Sequence, residues 1–353
     1  MTLPADVRCT LEDVAAHAGV SRATVSRVVN GSPRVSDAAR AAVEQAIEEL
    51  GYAPNRAARS LAAQRSDTVA LVLSEPSSKL FTDPFFAGTI RGVAAALAGS
   101  RYQLVLLMAQ GEPDRDGVER HLLRGNTDGV LLLSARRDDP LPRQLVEAGI
   151  PCVVAGRPSE ADAAGSAGTA GTVGPPAISY VDADNVGGAC DACAHLIRRG
   201  CATIATVAGP VDMAPGADRL TGWRQALAAA GRTAPRSLVA SADFTRDGGA
   251  VATRALLDRH PEIDGIFAAS DLMAMGALDV LRSAGRRVPE DVAVVGFDDS
   301  DLAPGTDPPL TTVRQPIEEL GAEMGRLVLD QLDRAAPPRA VTLGTELVVR
   351  ASA

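Results

Sequence analysis

Residues 10–31 read TLEDVAAHAGVSRATVSRVVNG, and their spacing organises the amino-terminal part of the chain. Thr10 has the chemistry of a helix N-cap, and Asp13 stands three residues on, close to a capping box. Leu11, Val14, Ala15 and Ala18 then share one helical face. Gly19 permits a tight turn in left-handed backbone. Ser21 is placed to cap a second helix with Val25, Val28 and Val29 inward, and Asn30-Gly31 stops it.

Working outward, Ser36 opens a third helix with Val43, Ile47 and Leu50 inward and Gly51 at its end. Pro54 blocks its continuation, yet residues 55–62 are helix-prone. That piece is too short to be stable alone, so a linker that becomes helical on binding is expected. From Thr68 the pattern changes to short apolar runs alternating with helical stretches. Val69–Leu73, Gln103–Met108, Gly129–Leu133 and Cys152–Ala155 form one set of runs. A second set comprises Thr203–Ala208, Leu238–Ser241, Gly265–Ala268 and Val292–Gly296. Such alternation predicts parallel sheets flanked by helices, and the repetition predicts two similar lobes. Residues 158–176, rich in Ala, Gly, Ser and Thr, read as a surface loop. Their glycine spacing lacks the strand and helix that a phosphate loop needs.

A length of 353 residues suggests two or three folding units, and 46% hydrophobic residues allow large cores. Aromatics make up only 3%, so Ala, Val and Leu must fill most of the interior. Lys79 is the only lysine, read here as compositional bias rather than chemistry. The net charge is −9. Residues 1–66 hold eight arginines against seven acids, or +1; the remainder holds 27 cations against 37 acids, or −10. A locally basic head on an acidic body is compatible with DNA binding. No run of about 18 apolar residues exists and the first residues lack a signal core, so a cytoplasmic protein without membrane contact is expected. Five cysteines, an odd number, fit reduced thiols.

The segment quoted above, with VSDAARAAVEQAIEELGYAPNRAARSLA after it, resembles the DNA-binding head and hinge of the LacI/GalR repressor family. DPFFAGTIRGV, YVDADNVGGA, DRLTGWRQAL, IFAASDLMAMGAL, VPEDVAVVGFDDSDLA and PPLTTVRQP match the same family. The expected class is therefore α/β. An all-α helix-turn-helix head and a hinge helix precede a two-lobed, periplasmic-binding-protein-like sensor with parallel sheets. The expected boundaries are 1–53 for the head and 54–66 for the hinge. The first lobe is 67–180 with 315–336 returning to it, and the second is 181–314 with 339–350 returning.

The resemblance implies that the second helix enters the major groove. Arg22 and Ala23 then occupy the base-reading pair, where a bidentate arginine–guanine contact discriminates by roughly 1–3 kcal/mol. Thr10, Ser21, Thr24, Ser26, Arg27 and Asn30 match positions that contact phosphates or bases. Asn55, Ala58 and Leu61 match the minor-groove hinge helix, with Leu61 as the wedge between base steps. Two hinges must meet for that wedge, which implies a homodimer and a near-palindromic operator. No appended heptad helix follows Arg350, again suggesting a dimer.

For the sensor, the resemblance implies a ligand between the lobes, touched by Asp83, Phe85, Phe86, Arg157, Arg219, Phe244, Asp271 and Asp298. Carboxylates, arginines and an aromatic face suit a sugar. One of Phe85 and Phe86 is expected to be core. Asp182, Asp184 and Asn185 read equally as ligand groups or as turn and cap residues, and Asp299 reads as a loop organiser. A purine corepressor fits less well, because Met213 stands where purine-sensing members are expected to carry arginine. The direction of control is not legible, although release of DNA is the natural expectation for a sugar, and with it repression. No cofactor is expected. An enzyme finds little support in the four scattered histidines, and Cys190-x-x-Cys193 with His195 and Cys201 reads as core thiols on a helix rather than zinc ligands. A transporter's solute-binding protein would share the lobes but not the head.

Overall fold

The computed structural model describes residues 9–29, 32, 34–52, 66–159 and 176–353. The chain divides into two compact units, Met1–Ser66 and Asp67–Ala353. The first holds α1 (Leu11–Ala18), α2 (Arg22–Val29) and α3 (Asp37–Leu50). Thr10 and Asp13 form a full capping box: the Asp13 amide donates to the Thr10 hydroxyl, and the Asp13 carboxylate accepts from the Thr10 amide at 2.8 Å. Gly19 is left-handed, with φ +65°. Val14, Val25, Val43, Ala46 and Tyr52 close a small core. Ile47 and Leu50, expected inside, are only half-buried against it.

The second unit begins with β1 (Thr68–Leu73), α4 (Ser77–Leu80), α5 (Pro84–Leu97) and β2 (Gln103–Met108). Next come α6 (Glu112–Leu123), β3 (Gly129–Leu133), α7 (Leu141–Glu147), β4 (Cys152–Ala155) and β5 (Ser179–Ala183). The chain then crosses to the second lobe: α8 (Asn185–Arg198), β6 (Ile204–Ala208), α9 (Ala214–Ala229), β7 (Val239–Ser241) and α10 (Arg246–Arg259). That lobe continues with β8 (Gly265–Ala268), α11 (Asp271–Ser283), β9 (Ala293–Asp298) and β10 (Thr311–Arg314). The chain returns through α12 (Ile317–Arg334) and β11 (Ala340–Leu343), then crosses once more into β12 (Glu346–Val348).

The two sheets share one topology. Their strand orders are β11-β5-β4-β3-β1-β2 and β12-β10-β9-β8-β6-β7. All pairings in the first are parallel; in the second only β12 runs antiparallel, to β10. Central strands such as β3 are buried along their whole length, as sheets covered on both faces require. Alternation along β1 sends Val69, Leu71 and Leu73 to one core, with α5 and α12, and Ala70 and Val72 to the other, with Leu122 and Leu145.

Two expected boundaries shift. Residues 181–183 belong to the first sheet, so the crossing falls at Asp184 rather than after residue 180. Of residues 339–350, Ala340–Leu343 extends the first sheet, with Val341 opposite Val181, and only Glu346–Val348 joins the second. These edge strands are three and four residues long and only half-buried at best, too short for a hydrophobic run from which a partner could be read. Residues 160–175 of the Ala/Gly-rich stretch lie outside the described residues.

Candidate functional site: an exposed helix face and an interlobe cleft

In the amino-terminal unit, Val25 and Val28 hold α2 against the core and turn its opposite face outward. Ser21, Arg22, Ala23 and Arg27 are exposed, and Thr24 and Ser26 are half-buried. Ser21 caps the helix, accepting from the Thr24 amide at 3.2 Å, with its hydroxyl 2.9 Å from that of Thr24. Arg22 pairs with Glu12 at 3.0 Å on open surface, a contact weak enough to be exchanged for a base edge. Thr10 commits its hydroxyl to the α1 cap. Asn30, Asn55, Ala58 and Leu61 lie outside the described residues.

In the second unit, a cleft opens between the carboxyl ends of the two sheets, where doubly wound folds place their ligands. Seven of the eight expected residues line it: Asp83, Phe85, Phe86, Arg157, Arg219, Phe244 and Asp298. Phe86 is buried in the first lobe's core while Phe85 is half-buried; their rings meet edge to face at 5.4 Å.

Arg219, projecting from α9, is the centre of the second lobe's contribution. Its buried guanidinium donates to Asn185 Oδ1 at 2.8 Å and to the Ala269 carbonyl at 2.7 Å. It reaches Asp298 Oδ1 and Gln315 Oε1, each at 3.4 Å, and lies over the Phe297 ring at 3.7 Å. Gln315 Nε2 donates to the same Asp298 oxygen at 2.6 Å. Burial pushes the Asp298 carboxyl well above its ordinary range, opposed by the Arg219 charge. Burial likewise raises Asp83, whose Oδ1 accepts from the Phe85 amide at 3.0 Å. Phe244 and Asp298 hold left-handed backbone, φ +65° and +122°, a conformation costing about 1–3 kcal/mol in non-glycine residues and concentrated at binding sites. The Phe244 ring rests on Gly209, where a Cβ would come within 2.3 Å of it.

One expectation is corrected and a second gains a partner. Asp271 does not line the cleft. Its carboxylate accepts from the Ser300 amide at 2.7 Å and from the Thr312 hydroxyl, which ties α11 to β10. Arg157 lines the cleft, but its guanidinium is already engaged, donating to both Asp218 oxygens at 2.8 Å across the lobes. Arg137 reaches the same carboxylate at 3.5 Å, and Arg136 pairs with Asp212. Asp182 and Asn185, for which sequence left two readings open, make turn bonds and also stand in the cleft wall. Asp182 accepts from the Ala183 amide and from Asn185 Nδ2, and both residues line the cleft. Sequence reasoning missed Lys79, Asp218 and Gln315. Gln315 and Asp218 both stand inside quoted motifs, whereas Lys79 carries no local signal. Cys193 and Cys201 are buried in the core, Cys190 is half-buried, and no metal-ligand cluster exists among the described residues.

Comparison with known proteins agrees with this geometry. Residues 10–55 match the family model described as bacterial regulatory proteins, lacI family, and residues 193–353 match a periplasmic binding protein-like domain. The chain is 51% identical over 348 residues to the HTH-type transcriptional regulator CelR of Thermobifida fusca, covering 98% of each. The chain belongs to the LacI family. It is thus a DNA-binding transcriptional regulator and not an enzyme. Among solved LacI-family structures, a CelR–cellobiose complex matches with TM-score 0.75 at 50% identity, covering 98% of this chain and all of that one. A lac repressor dimer bound to operator and an anti-inducer matches with TM-score 0.82 at 26% identity, covering 98% and 99%. No helix among the described residues is long and apolar enough to cross a membrane.

Proposed function

We propose that this regulator binds a near-palindromic operator as a homodimer and releases it, acting as a repressor, when an uncharged β-linked glucose disaccharide of the cellobiose type enters the interlobe cleft. The observation that carries the reading is the cleft itself. It combines the aromatic walls of Phe85 and Phe244 with the buried polar groups of Asp182, Asn185, Asp298 and Gln315, the mixed lining that a polyol needs. Among the described residues each cation lining it already faces a carboxylate: Lys79 with Glu75, Arg219 with Asp298, Arg157 and Arg137 with Asp218, Arg136 with Asp212. No cation is left over for a phosphate, which favours a neutral ligand. The cellobiose held by the 50% identical structural neighbour is such a neutral polyol.

On the DNA side, Arg22 and Ala23 read bases in the major groove. Ser21, Thr24, Ser26, Arg27 and Asn30, with Thr10 at the α1 cap, contact phosphates or bases. Asn55, Ala58 and Leu61 enter the minor groove. The protein works in the cytoplasm, where its operators are. Allosteric couplings of this kind amount to about 1–3 kcal/mol.

The test is in-vitro selection of random duplex DNA by the purified protein, repeated with cellobiose, glucose, ribose and a purine. Enrichment of a palindrome that cellobiose abolishes supports the whole reading. A palindrome that persists with cellobiose but disappears with ribose or a purine overturns the effector assignment. No enrichment under any condition overturns the operator assignment.

A further inference from the structure

Lys79 sits on the one-turn helix α4, four residues before Asp83, and is the only ammonium among 35 cationic side chains. Its side chain is just 12% exposed and lines the effector cleft. The Nζ donates to Glu75 Oε1 at 2.9 Å. Glu75 is almost as buried, at 13% exposure, so the cation is neutralised before any ligand arrives. On its other side Nζ lies 5.6 Å from the centre of the Phe244 ring, which belongs to the opposite lobe.

An ammonium carries three donors. Among the described residues its one hydrogen-bond acceptor is Glu75, so two N–H groups remain for the cleft. The other cations there are more fully spent. Arg219 serves four acceptors and Arg157 is committed to Asp218. Asp83, in turn, has one oxygen occupied by the Phe85 amide and a second without a partner among the described residues. The first lobe therefore presents a free donor and a free acceptor at one end of the cleft. A sugar hydroxyl can accept from the first while donating to the second.

We propose that Lys79 is a specificity-determining effector contact, which with Asp83 reads one hydroxyl of the neutral sugar and, through Phe244, links that reading to closure of the two lobes. This rests on the sugar-sensor reading above. A compact ammonium fits between Glu75 and an aromatic face, whereas a planar guanidinium needs a wider slot and fixes its donors in one plane.

Titration calorimetry with cellobiose and its singly deoxygenated analogues, on the full chain and on Lys79→Met and Lys79→Arg, tests it. Lys79→Met is expected to bind cellobiose roughly 10- to 100-fold more weakly, the loss of one hydrogen bond from a charged donor. Lys79→Arg should not restore binding. One deoxy analogue should bind the unchanged protein poorly yet lose nothing further in Lys79→Met, which a merely structural lysine would not produce. Equal cellobiose affinity in the parent protein and Lys79→Met overturns the assignment, as does uniform weakening of every analogue. Since Lys79 is the only lysine, protein grown with carbon-13 lysine gives one side-chain Cε resonance. A large shift on adding cellobiose is expected, and no shift while binding is measured overturns the contact. Absence of binding to cellobiose and to every other neutral sugar by the parent protein instead removes the sugar-sensor reading, and this proposal with it.

Discussion

The two lobes share a strand order but differ in how they meet the cleft. The second lobe is one continuous core built around Trp223, Phe267 and Phe297. It offers a preassembled polar set in which Arg219 is buried and bonded to four acceptors. The first lobe splits its core over the two faces of its sheet. It brings Arg136, Arg137 and Arg157, all between 40 and 55% exposed, to the rim. One side of the cleft is tied by internal hydrogen bonds; the other presents half-exposed, ion-paired arginines. Preorganised groups lose little entropy on binding, and adjustable ones set how readily the cleft opens.

The largest break in that contrast is Arg219→Ala. It strands the buried Asp298 and should cost about 3–5 kcal/mol of stability, with loss of measurable effector binding; denaturant unfolding and calorimetry check both. Gly209→Ala comes next. The new methyl strikes the Phe244 ring, and about 1–3 kcal/mol of overpacking strain is expected. A weaker effector constant, with head-directed DNA affinity unchanged, would locate the damage in the second lobe. Arg157→Ala should be milder. Half-exposed pairs are worth below about 1 kcal/mol, so effector affinity should move less than tenfold, and the difference from the parent should shrink as salt rises.

The smallest effect is a pH slope. Burial raises the Asp271 carboxyl to about 6. Between roughly pH 4 and 6 the folded lobe then binds more protons than the unfolded chain, so this group's contribution to stability falls as pH rises through that window and is flat above it. Melting Asp271→Asn alongside the parent should show the parent losing ground over that interval; parallel curves would refute the burial effect.

What was legible in the sequence was local. Thr10, Asp13 and Ser36 announce helices through bonds three residues long, and buried strands such as β3 announce themselves as continuous apolar runs. The cleft was legible only through resemblance, and unevenly. Asp271 reads like a ligand because it follows a strand, yet its direction is set by Ser300 and Thr312, 29 and 41 residues away. Arg157 is diverted by Asp218 on the other lobe. Lys79 belongs to a single helical turn with no periodicity, and its meaning comes entirely from Glu75 and Phe244. The short strands β11 and β12 are placed by pairing register, which no local pattern encodes.

The three chain crossings bear on how force passes through the sensor. The third is bonded to both others: the Asp184 amide donates to the Leu343 carbonyl at 2.8 Å, the Thr345 hydroxyl donates to the Asp184 carbonyl, and Arg314 lies opposite Glu346 across the β10–β12 pair. Three strands clamped together resist bending in most directions and leave chiefly rotation about their common line, as a door with three hinges does. Asp182, Asn185 and Gln315, which line the cleft, stand beside that line. A small displacement at these residues acts on the short arm of a lever and becomes a larger sweep at the far edge of each lobe.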